Sequence, residues 1–174
     1  EAAKRANAKW FTVVIGAEDP SLEYEYQFQN VVEHLKYASD YLEKNNGPIM
    51  VLESLNIKDH PGSWLKRIPQ AYAVCKAVGS PKCKILDDLY HQQKTEGNLI
   101  ENIDAAWDEI AYFQMADNPG RREPGTGEIN YKKIMKHIAD KGYKGIIGLE
   151  LVQSAKTPEG DKFFVDSVRN IDIE

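Results

Sequence analysis

The sequence predicts an α/β protein, a parallel barrel of repeated strand-helix units. Three observations point there. Short apolar runs alternate with longer segments of helical periodicity, which implies parallel strands with helices packed outside them. The runs are continuously apolar, as strands buried on both faces must be. Four of the runs close on an acidic or amide side chain: Glu53, Asp88, Gln114 and Glu150, at steps of 35, 26 and 36 residues. A strand-helix unit takes about 30 residues. In a barrel of such units the C-terminal strand ends converge on one mouth. Three carboxylates and an amide oxygen meeting there would suit a hard cation. An open five-stranded sheet fits the number of units too, but its crevice uses the ends of only two or three strands. A closed barrel needs eight units. The expectation is therefore the last five units of a barrel, in one domain over residues 1–174 that lacks its N-terminal third.

Trp10 to Gly16 reads as the first strand, β-branched and closed by glycine. Leu22 to Asn46 reads as a helix, with Val31, Val32, Leu35, Ala38 and Leu42 on one face and Asn45-Asn46-Gly47 as its stop. Ile49 to Glu53 is the second strand. Pro61 to Val78 reads as the next helix, ended by Gly79, with Pro81 forbidding continuation. Lys84 to Asp88 is the third strand, Asn98 to Asp108 a helix burying Ile100, Ile103 and Trp107, and Ala111 to Ala116 the fourth strand. A glycine-rich loop runs from Asp117 to Ile129. Asn130 then caps a helix with Ile134, Ile138 and Ala139 inward, ended at Lys141-Gly142. Ile146 to Leu151 is the fifth strand, and Asp161 to Asn170 the last helix. Strand alternation turns Asp87 to the helix layer if Asp88 faces the mouth.

The chain has 174 residues, 42% apolar and 28% charged, the balance of an ordinary globular domain. Its net charge of −5 argues against nucleic acid as a partner, since a phosphate backbone demands a basic face. No apolar stretch approaches the ~20 residues of a membrane helix. Cys75 and Cys83 fit no metal spacing and read as free thiols of a reducing compartment. A cytoplasmic protein follows, although Glu1-Ala2-Ala3-Lys4 reads as the middle of a helix and leaves a leader open.

Two segments are specific enough to name a resemblance: Leu86 to Gln93, and Gln114 to Asn130 with its string Arg-Glu-Pro-Gly-Thr-Gly-Glu-Ile-Asn. They resemble the hydroxypyruvate isomerase family, within the sugar isomerases and epimerases that look like xylose isomerase. Glu53-Ser54-Leu55-Asn56, Asp59-His60-Pro61-Gly62 and Gly148-Leu149-Glu150 are similar to its other motifs. The resemblance covers nearly the whole chain and would set Glu1 in the third helix of that family's barrel. It implies a (β/α)8 TIM barrel with Glu53, Asp88, Gln114 and Glu150 as ligands of one divalent cation, Mg²⁺ or Mn²⁺. It implies His91 as a contact to substrate oxygen. Ser54, where much of this branch carries proline, and Asp87, at a commonly apolar position, depart from the pattern.

The expected function is a metal-dependent isomerase or epimerase: shifting a carbonyl between adjacent carbons, or inverting the carbon beside a ketone, requires removing the proton beside the carbonyl, and the cis-enediolate that forms needs its charge held. Glu53 and Glu150 are the candidate acid and base. Arg121 would bind a substrate hydroxyl or carboxylate with its planar fork, Glu123 would orient it, and His60 would line the mouth. The expected partner is a small sugar or hydroxy-oxo acid, with no nucleic acid and no membrane; the reading is compatible with a homo-oligomer. Each residue alone has an ordinary structural alternative, a helix cap or surface ion pair for the carboxylates and a turn for His60. Two rival functions remain: a non-catalytic sugar-binding domain, and an endonuclease of the same barrel superfamily, which would gather more histidines than the four present.

Overall fold

A computed structural model describes residues 2–172. Glu1, placed above in a barrel helix, lies outside them. Five strands form one sheet in the order of the chain: β1 (Trp10–Val13), β2 (Ile49–Glu53), β3 (Cys83–Asp88), β4 (Ile110–Met115) and β5 (Ile147–Leu149), all neighbours parallel. Helices α1 (Ala2–Arg5), α2 (Tyr24–Lys44), α3 (Ile68–Val78), α4 (Leu89–Thr95), α5 (Leu99–Ala106), α6 (Tyr131–Asp140) and α7 (Pro158–Arg169) complete the chain. A single 3₁₀ turn, Trp107–Glu109, leads into β4. This is a partial (β/α)8 barrel, as the strand-helix alternation predicts.

The sheet is a trough rather than a plane. β1 and β4 are three strand spacings apart, about 14 Å across a flat sheet. Yet the rings of Trp10 and Tyr112 lie 5.5 Å apart, so the sheet curls until these two meet on its concave face. A Cβ on Gly148 would stand 2.5 Å from the Tyr112 hydroxyl, so glycine in β5 makes room for that ring. Strand partners Glu53↔Leu86, Asp88↔Gln114 and Gln114↔Gly148 share a face, and alternation along each strand puts Glu53, Asp88 and Gln114 on the concave side. The convex side carries Met50, Leu52, Cys83 and Ile85, packed with Val32 and Leu35 of α2 and with Ile68, Val74 and Val78 of α3. Further along, Phe113 and Met115 pack with Ile103 of α5 and Ile134 and Ile138 of α6. Burial at about 25 cal/mol per Å² of apolar surface makes these two clusters the main stabilising term.

Several boundaries differ from the sequence expectation. β1 stops at Val13, and the following residues cross to the next loop, where Ala17 bridges Ser63 and the Trp64 N–H donates to the Gly16 carbonyl. The segment from Pro61 is not helical: Gly62 sits at φ +80° and Ser63 is held in that bridge. α3 starts only at Ile68, with Pro69 in its first turn, where a missing N–H costs nothing. Trp64 instead stacks on Tyr24, 5.7 Å between centroids. The seven-residue helix α4 has no counterpart in the sequence reading; it is too short for periodicity to reveal. α7 begins earlier than read, at Pro158, capped by the Thr157 hydroxyl accepting the Gly160 N–H.

Asp87 occupies the helix layer, as alternation predicts, and is fully buried. Neither carboxylate oxygen has a hydrogen-bond partner among the described residues. Burial, then the nearby Asp88 and Glu96 carboxylates, push its pKa well above the usual range. Burying an unpaired polar group costs about 1–3 kcal/mol. Asp87→Val, which suits a strand and removes that cost, is expected to raise the urea midpoint. The folded-state pKa lies above the unfolded value of 3.8. The wild-type chain therefore loses stability as pH rises past about 4, and the variant's advantage should be larger near pH 7 than near pH 4. A lower midpoint at pH 7 would show that the carboxyl has a stabilising partner.

Candidate active site at the strand ends

Glu53 is the last residue of β2 and is buried. Asp88 ends β3 and does two jobs. Its Oδ1 caps α4, accepting the Tyr90 N–H at 2.9 Å and the His91 N–H at 3.3 Å. Its Oδ2 points into the trough, 3.8 Å from His91 Nε2. Because Asp88 starts α4, the first turn of that helix delivers His91 to the mouth, with Nε2 3.6 Å from Glu53 Oε1. One donor atom each from Glu53, Asp88 and His91 lies within 4.8 Å of the others. Gln114, beside Asp88 on β4, is half-buried, and its Oε1 is buried with no hydrogen-bond partner among the described residues. Glu150 directly follows β5, with its N–H bonded to the Met115 carbonyl at 3.2 Å and its side chain half-exposed.

Arg121 closes this arrangement. It sits at φ +53° in the loop after β4. Its Nη2 lies 3.0 Å from Asp88 Oδ2 and 3.1 Å from Glu150 Oε1, and its Nε donates to the Glu150 carbonyl at 3.1 Å. The guanidinium carbon stands 5.1 Å from the Tyr90 ring centre. Of the sequence candidates, Glu53, Asp88, Gln114, Glu150, His91 and Arg121 come together. His60 is exposed at the rim, its ring 5.3 Å from that of His91. Glu123 departs from the expected role. It is fully buried, and its carboxylate accepts the Ser154 N–H at 2.8 Å and the Ser154 hydroxyl. It therefore ties the loop after β5 to the loop after β4, and among the described residues its side-chain bonds go to Ser154.

Asn56 and Asp59, present in the family-like motifs but without an expected role, and Tyr90, Lys94 and Asp117 also serve this end of the sheet. Asp59 accepts from Lys94 Nζ at 2.6 Å, from the Tyr90 hydroxyl at 2.6 Å and from Asn56 Nδ2 at 3.0 Å. Those bonds, Lys94's foremost, hold its carboxyl well below the usual range. The Asn56-x-x-Asp59 spacing is an available signal for such a network, since short polar side chains three apart bond within one turn.

Burial, then Asp88 and Glu150, raise the Glu53 pKa to about 7. Burial raises Asp88 to about 6, against the lowering pull of Arg121. Burial, then Arg121, lowers His91 to about 3, so its imidazole is neutral at neutral pH. The donor set fits a divalent cation. Glu53 is crowded by the Asp88 and Glu150 carboxylates, and the buried Gln114 Oε1 has no hydrogen-bond partner among the described residues. Oxygen-rich donors favour a hard ion.

Residues 1–166 match the family described as xylose isomerase-like TIM barrel. A hydroxypyruvate isomerase of Escherichia coli (strain K12) is 35% identical over 158 residues, 91% of this chain and 61% of that protein. A 2-oxo-tetronate isomerase of Cupriavidus necator is 33% identical over 129 residues, 74% of this chain and 49% of that protein. A crystal structure of an AP endonuclease, family 2, from Brucella melitensis superposes with TM-score 0.86 at 27% identity, over 94% of this chain and 63% of that one. The chain thus spans about half to three-fifths of the length of these relatives.

Proposed function

The chain belongs to the xylose isomerase-like TIM-barrel family, and on that premise we propose that it carries the catalytic face of an isomerase. The substrate is a small hydroxy-oxo acid or ketose whose carbonyl moves to the neighbouring carbon. Relatives named hydroxypyruvate isomerase and 2-oxo-tetronate isomerase support the substrate class. The observation that carries the reading is the pairing of Glu53 with Glu150. They end β2 and follow β5, separated by Asp88 and Gln114, and the Glu150 carboxylate contributes to raising the Glu53 pKa.

One of the pair takes the proton from the carbon beside the carbonyl, the pair delivers a proton to the former carbonyl carbon, and the hydroxyl proton passes to the former carbonyl oxygen, so that the carbonyl moves with no net gain or loss of protons. Glu53 is a proton acceptor matched to neutral pH, because burial raises its pKa to about 7. The Arg121 guanidinium and the uncommitted His91 Nε2 face the place where enediolate charge develops, and a fixed donor there costs no reorganisation. Glu53, Asp88, Gln114 and Glu150 would hold one divalent ion, Mg²⁺ or Mn²⁺. When bound, that ion supplies Lewis-acid stabilisation of the substrate oxygens. The test is solvent deuterium uptake over hydroxypyruvate and a panel of ketoses, with Mg²⁺ and then with chelator. Metal-dependent exchange beside the carbonyl supports the reading; metal binding without exchange on any substrate favours a sugar-binding domain. The net charge of −5 weighs against the endonuclease alternative.

Cation uptake should depend on pH in a defined direction. With Glu53 near 7 and Asp88 near 6 in the cation-free site, both carry protons at pH 5.5 and both are ionised at pH 8. A cation must displace those protons, so Mn²⁺ affinity is expected to fall by about tenfold per pH unit for each proton displaced below these values. Calorimetry in two buffers of different ionisation enthalpy would count the protons. Uptake without proton release at pH 6 would remove these carboxylates from the ligand set.

A further inference from the structure

We propose that Asn56 is a positioning residue that locks His91 as a neutral imidazole donating from Nε2 into the mouth. The proposal rests on the isomerase reading only for its kinetic consequence. Hydrogen-bond sense fixes the ring. His91 Nδ1 is met by two groups of Asn56, the backbone N at 3.3 Å and Nδ2 at 2.6 Å. A backbone N–H can only donate. The amide orientation is equally constrained. Asn56 Oδ1 accepts the Asp59 N–H at 2.9 Å, and Nδ2 donates to Asp59 Oδ2 at 3.0 Å. Exchanging the amide O and N would set NH₂ against N–H and oxygen against carboxylate. Both groups facing Nδ1 are therefore donors, and Nδ1 must present its lone pair. The ring hydrogen then sits on Nε2.

The consequence separates two roles that residue type leaves open. An Nε2 that carries hydrogen has no lone pair for a cation, so His91 is excluded as a ligand although it lies within reach of Glu53 and Asp88. It is a standing donor instead. His91 Nε2 is buried and has no hydrogen-bond partner among the described residues, which leaves its hydrogen free for a substrate oxygen. Asn56 is held in turn by Asp59, which is pinned by Lys94 and by the Tyr90 hydroxyl, itself 2.8 Å from Lys94 Nζ. The loop after β2 and helix α4 thus fix the tautomer together.

The test is ring-¹⁵N NMR of histidine-labelled full chain at neutral pH, with chelator and again with Mg²⁺; His91→Gln identifies the His91 signals among the four histidines. The expected result is the Nε2–H tautomer in both conditions. Nδ1–H in the native protein, or loss of the Nε2 hydrogen on adding Mg²⁺, overturns the proposal. Asn56→Asp places an acceptor at Nδ1 and is expected to put a hydrogen there. Should that variant fail to fold, Asn56→Ser removes only the shorter donor and is expected to give mixed tautomers. A native-like spectrum in the folded variants overturns the lock. In Asn56→Ser, kcat for deuterium exchange is expected to fall by the same factor as the Nε2–H population, with Mn²⁺ affinity unchanged; an unchanged kcat refutes the donor role. Exchange absent from the native protein on every substrate, with the tautomer as expected, removes the isomerase reading and leaves the lock standing.

Discussion

Glu53→Gln is expected to lower metal-dependent proton exchange by about a thousandfold while leaving the barrel folded. Glutamine keeps the shape of the side chain and one oxygen donor, so the packing at the end of β2 is preserved. It cannot take a proton, and the general base is what the reaction loses. The variant should also be more stable than the parent in the cation-free state, and the sign can be worked out. Glu53 has a folded-state pKa of about 7 against 4.5 unfolded. Its contribution to stability is full below pH 4.5 and is lost as pH rises through 7. Glutamine carries no such loss, so its advantage should appear above pH 5 and level off above 7, at roughly 3 kcal/mol as an upper bound. Chelated protein at pH 6 and 8 would show this in urea midpoints. Loss of activity with loss of stability at pH 8 would instead mark Glu53 as a structural residue. Glu150→Gln, half-exposed and paired with Arg121, should lose exchange to a similar extent with little change in stability.

The strands were legible in the sequence because their burial on both faces leaves continuous apolar runs; Ile49–Glu53 is found where it was read. Helix starts were less legible. Pro61-Gly62 looks like a helix opening, but the positive φ at Gly62 and the Ala17 bridge to Ser63 turn that loop away from a helical course. α4 is invisible to periodicity, yet Asp88 is a visible cap for it, and reading Asp88 only as a cation ligand hid that. Carboxylates at strand ends are local signals, so the set Glu53, Asp88 and Glu150 could be found from spacing. The Asn56, Asp59 and His91 network joins residues 35 apart, and no local pattern marks a tautomer. Glu123 shows the opposite failure: a charged residue beside Arg121 reads as its partner, whereas the fold brings Ser154 to it from the next loop.

The loop that presents Arg121 should depend on Asp117 more than on any residue that touches substrate. Asp117 is fully buried and just past β4. Its carboxylate accepts three backbone N–H groups, from Asn118 at 2.9 Å, Gly125 at 2.7 Å and Ile129 at 3.1 Å. Its own N–H donates to the Arg122 carbonyl at 2.8 Å. One side chain thus gathers both ends and the middle of the loop. Gly127 completes the closure, since a Cβ there would stand 2.2 Å from the Asn118 carbonyl oxygen and 2.5 Å from Asp117 Oδ1. Asp117→Ala strands three donors at once. The Ile129 N–H is a buried orphan, at about 1–3 kcal/mol, whereas those of Asn118 and Gly125 are part-buried and can turn to water, so a net loss of about 2 kcal/mol is expected. The loop also holds Arg121 at its positive φ, between Asp88 and Glu150. Released, that guanidinium would no longer be aligned, and exchange should fall on the order of a hundredfold even at temperatures where the barrel stays folded. Gly127→Ala should do the same through steric displacement, without removing any hydrogen-bonding group. Full activity in a folded Asp117→Ala protein would show that Arg121 finds its place without the loop, and the carboxylates of the mouth alone would then be setting its position.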